Sequence, residues 1–152
     1  MKSQITSVLY EYIQLATPCI GEYTIQAKRI MKNREEYNMD LLYHSFGGDI
    51  VALQEINGYR IKNPDFCWNG VLWEEQEPIK HTKNAIDKNI REGIHQISKN
   101  PGGIILDIGN SDMDIISIKT IALHRLNRSS DFDCDIVIIR NGEIEEILRY
   151  KK

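Results

Sequence analysis

Between Pro64 and Pro78 the chain reads Pro-Asp-Phe-Cys-Trp-Asn-Gly-Val-Leu-Trp-Glu-Glu-Gln-Glu-Pro, a short stretch dense in carboxylates. Asn69-Gly70 is a two-residue turn signal, because both positions of such a turn want the positive φ that Asn and Gly tolerate, and its flanks are aromatic and β-branched. The pattern predicts a hairpin with Asp65 opening the first strand and Glu74 on the second. Side chains alternate along a strand, so Leu72, Glu74 and Gln76 share one face while Val71, Trp73 and Glu75 share the other. Two carboxylates brought together this way can hold a hard divalent cation, which polarises a phosphate and its attacking water. The competing reading is an ordinary exposed hairpin whose Glu74, Glu75 and Glu77 only solvate its surface.

An Asp at the start of one strand, with a Glu and a third polar group two residues apart on its partner, resembles the layout of the PD-(D/E)xK nucleases. Those enzymes carry Lys at the last position, where its charge assists the transition state; this chain carries Gln76. A longer resemblance begins at Phe46-Gly47-Gly48-Asp49-Ile50. It continues through Glu55, Pro64-Asp65, Trp73-Glu74, Lys83-Asn84-Ala85-Ile86-Asp87 and Gln96 to Ile105-Leu106-Asp107-Ile108. These residues resemble the C-terminal tRNA nuclease domain of contact-dependent growth inhibition toxins, without a gap from Trp73 to Asp87. The resemblance implies a toxin domain that hydrolyses tRNA, with Asp65 and Glu74 binding Mg²⁺ or another divalent metal and Glu55 assisting. It also implies a cognate immunity protein as partner. Gln76 departs from the pattern, a change that bears on catalysis more than on the fold.

Three alternatives stay open on these residues. Lys80 or Lys83 substitutes for the missing Lys; a metal-free ribonuclease chemistry uses His81, Thr82 and Lys83; or the chain is a catalytically degenerate nuclease fold that binds RNA or a protein partner. An amide at position 76 can donate a hydrogen bond to a phosphate oxygen, but it carries no charge.

The chain has 152 residues, 41% of them hydrophobic, which suits one domain with a real core, residues 1–46 forming a helical part and 47–152 an α/β core. Cys19, Cys67 and Cys134 are odd in number and far apart, so neither a disulfide framework nor a zinc site is indicated, and they fit a reducing cytosol. No apolar run approaches a membrane span, and Lys2, Gln4 and Thr6 interrupt any signal-peptide core, so the expected location is the bacterial cytosol. The net charge of −3 argues against a general nucleic-acid binder, since phosphate affinity comes largely from Lys and Arg. Local clusters would have to supply it: Lys28, Arg29 and Lys32; Lys80, Lys83, Lys88 and Arg91; Arg125 and Arg128; Arg149, Lys151 and Lys152. For each the simpler reading is ordinary solvated surface.

The elements that must position these groups are read from periodicity. A first helix carries Val8, Leu9, Tyr12, Ile13 and Ala16 and stops at Thr17-Pro18. A second starts near Glu22, carries Ile25, Ala27, Ile30 and Met31, and ends in the polar run 32–36. A third, short helix holds Met39 to Phe46 before Gly47-Gly48. Residues 49–56 form a strand, and the hairpin makes it three in succession. Thr82 caps a helix from Lys83 to about Lys99, with Ile86, Ile90, Ile94 and Ile97 as its apolar stripe. Its start, with Lys80, His81, Thr82, Lys83 and Asn84, offers a phosphate cradle, and Gln96 lies further along it. His81 is also available for acid–base work, whereas His95 and His124 read as incidental. Pro101-Gly102-Gly103 turns into the apolar run 104–108, a central strand covered on both faces. A helix from Asp112 or Asp114 carries Ile115, Ile118, Ala122 and Leu126, and Asn141-Gly142 joins a last hairpin. The expected fold is a mixed α/β (α+β) domain with N-terminal helices, a β-meander, helix, strand, helix and C-terminal hairpin, one mixed sheet with a PD-(D/E)xK-like core.

Overall fold

A computed structural model describes residues 3–26, 29–53, 64–97 and 100–152. One eight-stranded mixed sheet runs through it, in the order β1-β8-β7-β6-β5-β4-β3-β2. The strands are β1 (Gln4–Ser7), β2 (Tyr23–Ile25), β3 (Ile50–Ala52), β4 (Phe66–Trp68), β5 (Val71–Gln76), β6 (Pro101–Asp107), β7 (Cys134–Arg140) and β8 (Glu143–Lys151). Among the described residues four helices accompany them: α1 (Leu9–Leu15), α2 (Asn33–Phe46), α3 (Lys83–Gln96) and α4 (Ile115–Ser129). No helix among the described residues is long and apolar enough to cross a membrane.

The middle of the chain follows the expected order, α2, then the antiparallel meander β3-β4-β5, then α3 and β6. β6 lies parallel to both β5 and β7. Alternation along β6 sends Ile104 and Leu106 to one face and Ile105 to the other, and all three are fully buried, as an unbroken apolar run requires. On the first face the α3 stripe of Ile86, Ile90, Ile94 and Ile97 packs with Ile118, Ala122 and Leu126 of α4. Burial of each Ile there stabilises the fold by about 2 kcal/mol. The opposite face is covered by Met39, Leu42 and Phe46 of α2, against Trp68, Trp73, Ile105 and Val137.

Local signals hold where they are strong. Thr82 Oγ1 accepts from the Ala85 N–H at 3.2 Å, and Asp114 Oδ1 from the Ser117 N–H at 2.7 Å, so α3 and α4 begin where capping residues stand. Asn69 and Gly70 have φ of 51° and 83°, and Asn141 and Gly142 of 51° and 75°, the left-handed values a tight hairpin needs.

The N-terminal helical part requires correction. Residues 4–7 are not part of the first helix but a strand paired antiparallel with β8 at the sheet edge. The helix expected from Glu22 is instead β2, a three-residue strand parallel to β3. The polar run 32–36 does not end a helix; it begins α2, a single 14-residue helix where a short one from Met39 was expected. Pro101, Gly102 and Gly103 belong to β6 rather than to a turn, and the positive φ falls on Asn100 at 54°. These glycines make room. A Cβ on Gly102 would lie 2.3 Å from Trp73 Nε1, and one on Gly103 would lie 1.9 Å from the Asp135 carbonyl oxygen.

Candidate active site

The β4-β5 ladder pairs Phe66 with Trp73, so one step outward Asp65 stands across from Glu74. Two further bonds fix the pair. The Asp65 N–H donates to Glu74 Oε2 at 3.1 Å, and Asp65 Oδ2 accepts from the Glu75 N–H at 2.8 Å. Asp65, Glu74 and Gln76 line one open cleft of about 400 Å³, together with Lys32, Glu35, Glu75, Glu77, Ile79 and Asn89.

Charge in this cleft is lopsided. Glu74 is only 9% exposed, and burial, with Asp65 and then Glu35 nearby, pushes its carboxyl well above the usual carboxylate range. Burial and Asp65 likewise raise Glu35, against the opposing pull of Arg29 and Lys32. The built-in counterion is Arg29. Its side chain is 2% exposed, and Nη2 contacts both Glu35 Oε2 and Asp65 Oδ1, the latter at 3.1 Å.

A second acidic group lies on the α2 side of β5, where alternation sends Glu75. Asn38 Nδ2 donates to Glu75 Oε1 at 3.0 Å and to Asp107 Oδ2 at 2.9 Å, while Arg34 Nε lies 2.6 Å from Asp107 Oδ2. Burial and neighbouring Glu77 push the Glu75 carboxyl upward. Carboxylate oxygens of Glu75, Glu77 and Asp107 lie within 4.8 Å of one another, a set of hard donors that could hold a divalent ion. Asn38 Oδ1 is buried among the described residues without a hydrogen-bond partner.

On the Asp65 side, Glu35, Asp65 and Glu74 face one opening, and the Arg29 guanidinium already contacts the first two. Burial and mutual repulsion favour the protonated forms of Glu35 and Glu74 there. Their oxygens are hard donors of the kind Mg²⁺ takes once those protons leave.

Of the residues expected to bind substrate, Lys80, Thr82 and Asn84 line a neighbouring hollow that shares Glu77, Ile79 and Asn89 with the acidic cleft. The Thr82 hydroxyl is engaged as the α3 cap. His81 and Lys83 are exposed beside it, His81 towards Gly109. Gln96 is not brought to the cleft. It is the last residue of α3, roughly 20 Å along the axis from Lys83, and lines a separate hollow with Arg91, His95 and Ser129. Glu55 lies outside the described residues.

Sequence reasoning missed Glu35 and Asn38, and it placed Arg29 and Lys32 only in a candidate basic surface cluster, all from the segment read as the end of one helix and the gap before the next. A usable signal was present. Glu35 and Glu36 are acidic residues in a first turn, where the helix dipole favours them.

Fold and cleft together define a mixed α/β protein with carboxylates gathered at the end of a central strand. A chain of the CdiA-CT/CdiI toxin and immunity complex from Burkholderia pseudomallei has a similar structure, with a TM-score of 0.54 at 18% identity, covering 82% of this chain and 98% of that one. The likeness shows a shared fold. No protein-family model and no curated protein matches the chain.

Proposed function

We propose that this chain is a nuclease toxin domain that hydrolyses phosphodiester bonds in RNA, with tRNA as substrate and a cognate immunity protein as partner. The observation that carries the reading is the meeting of Asp65, Glu74 and Gln76 in one cleft beside the start of α3. The shared fold with a chain of a toxin and immunity complex supports the toxin and partner parts.

In this reading Asp65 and Glu74, with Glu35 adjacent, would hold Mg²⁺. When bound, the ion supplies Lewis-acid polarisation of the phosphate and of the attacking water. The protein supplies position. The Asp65 N–H fixes Glu74 Oε2, and Arg29 fixes Asp65 Oδ1. Glu74 must release its proton to take a cation, so metal affinity rises with pH. Lys80, Asn84 and the N-terminal dipole of α3 receive the flanking RNA phosphates.

The test incubates purified protein with total tRNA in Mg²⁺ or in EDTA, beside Glu74→Ala. Cleavage in Mg²⁺ that both EDTA and Glu74→Ala abolish is expected; cleavage indifferent to both would refute the metal mechanism. Gln76 favours a second reading, a nuclease fold that has lost catalysis and binds RNA or protein. Retention of tRNA without cleavage in either buffer would support it.

A further inference from the structure

We infer that Lys32 delivers the positive charge that position 76 lacks, so that the cation facing the scissile phosphate comes from the start of α2 instead of from β5. This inference rests on the metal-nuclease reading above.

Gln76 shares a face with Glu74 and lines the cleft, yet it is neutral. Neither Lys80 nor Lys83 stands in for it there, since Lys80 lines the neighbouring hollow and Lys83 lines neither. Arg29 is cationic but committed. Its guanidinium is buried against Asp65 and Glu35, where it offsets the carboxylates below the opening. Among the described residues lining the cleft, Lys32 is the cation.

Its setting suits the role. Lys32 is the exposed N-cap residue of α2, with extended backbone (φ −72°, ψ 148°). The first turn of α2 places Glu35 beside it in the same cleft, and the Lys32 charge is felt there, easing the proton off Glu35. A flexible four-carbon stem carrying a compact ammonium with three donors can follow a phosphate as charge develops on its oxygens. The neutral amide of Gln76 remains on the strand face as a hydrogen-bond donor.

The experiment compares the original protein with Lys32→Met, Gln76→Lys, the double variant Lys32→Met/Gln76→Lys, and Glu74→Ala. It measures single-turnover cleavage of total tRNA in Mg²⁺, and the salt dependence of tRNA binding in EDTA as a readout independent of turnover. Lys32→Met should lose on the order of a hundredfold in cleavage rate. In EDTA its binding should lose about one charge's worth of salt dependence. The double variant should regain most of the lost rate, because a charge on the Glu74 face serves the same phosphate. An unchanged melting temperature for Lys32→Met would confirm that the loss is not one of folding. Cleavage by Lys32→Met equal to the original, with Glu74→Ala inert, overturns the inference and leaves the nuclease reading standing. So does an inert original protein alongside an active Gln76→Lys, which would mean that nothing replaces the missing charge. A Lys32→Met loss that Gln76→Lys fails to restore overturns the exchange of one cation for the other. No cleavage by any variant ends the nuclease reading, and this inference with it.

Discussion

Glu74→Gln isolates the electrostatic strain in the cleft. The folded protein holds a proton on Glu74 that the unfolded chain releases above the ordinary value of 4.5, because burial and the nearby Asp65 and Glu35 penalise the anion. Folded molecules therefore bind more protons than unfolded ones, and the group's contribution to stability is full below 4.5 and lost as pH rises towards the elevated folded value. Each pH unit in that window removes on the order of 1 kcal/mol per held proton, so raising the pH from 5.5 to 7.5 costs roughly 2–3 kcal/mol. For a chain of this size the melting temperature should fall by roughly 5–10 °C over that range. Gln has nearly the shape of the protonated acid and can still accept the Asp65 N–H, but it has no proton to lose. The assay is thermal unfolding of both proteins at half-unit pH steps in low salt without divalent ions. The curves should nearly coincide below pH 4.5 and separate steadily above it, the variant being the more stable. Parallel curves, with the same gap at both ends, would refute the account of Glu74 as a carboxyl kept protonated by its surroundings.

Thr82→Ala removes the side-chain acceptor that caps α3 and should cost about 1 kcal/mol in urea unfolding. Two glycine variants separate backbone strain from collision. Gly70→Ala meets nothing within 4 Å and should lose only about 1 kcal/mol, the strain of a φ of 83°. Gly103→Ala drives its Cβ against the Asp135 carbonyl oxygen across the β6-β7 ladder, and its loss should exceed roughly 3 kcal/mol or abolish soluble expression. Equal losses at the two glycines would refute the distinction.

Elements whose signals are local were legible from the residues alone. Asn69-Gly70 and Asn141-Gly142 carry left-handed turns, Thr82 and Asp114 cap helices, and the Ile stripe of α3 and the apolar run of β6 face where period and composition direct them. The face shared by Glu74 and Gln76 was legible for the same reason, since alternation within one hairpin needs no distant partner. Tertiary structure decided the rest. Residues 23–25 become a strand by pairing with β3, although the spacing of Ile25, Ile30 and Met31 resembles a helix, and residues 4–7 become one by pairing with β8, more than 140 positions away. In such short segments the ladder, with the burial that accompanies it, outweighs propensity. The surroundings of the carboxylates were hidden by the same physics. Arg29 and Lys32 read as a basic surface cluster, Glu35 as part of a solvated polar run and Asn38 as a gap residue until α2 lies across the sheet, and only that packing makes Arg29 and Asn38 buried partners of Asp65, Glu75 and Asp107 and brings Lys32 and Glu35 into the cleft.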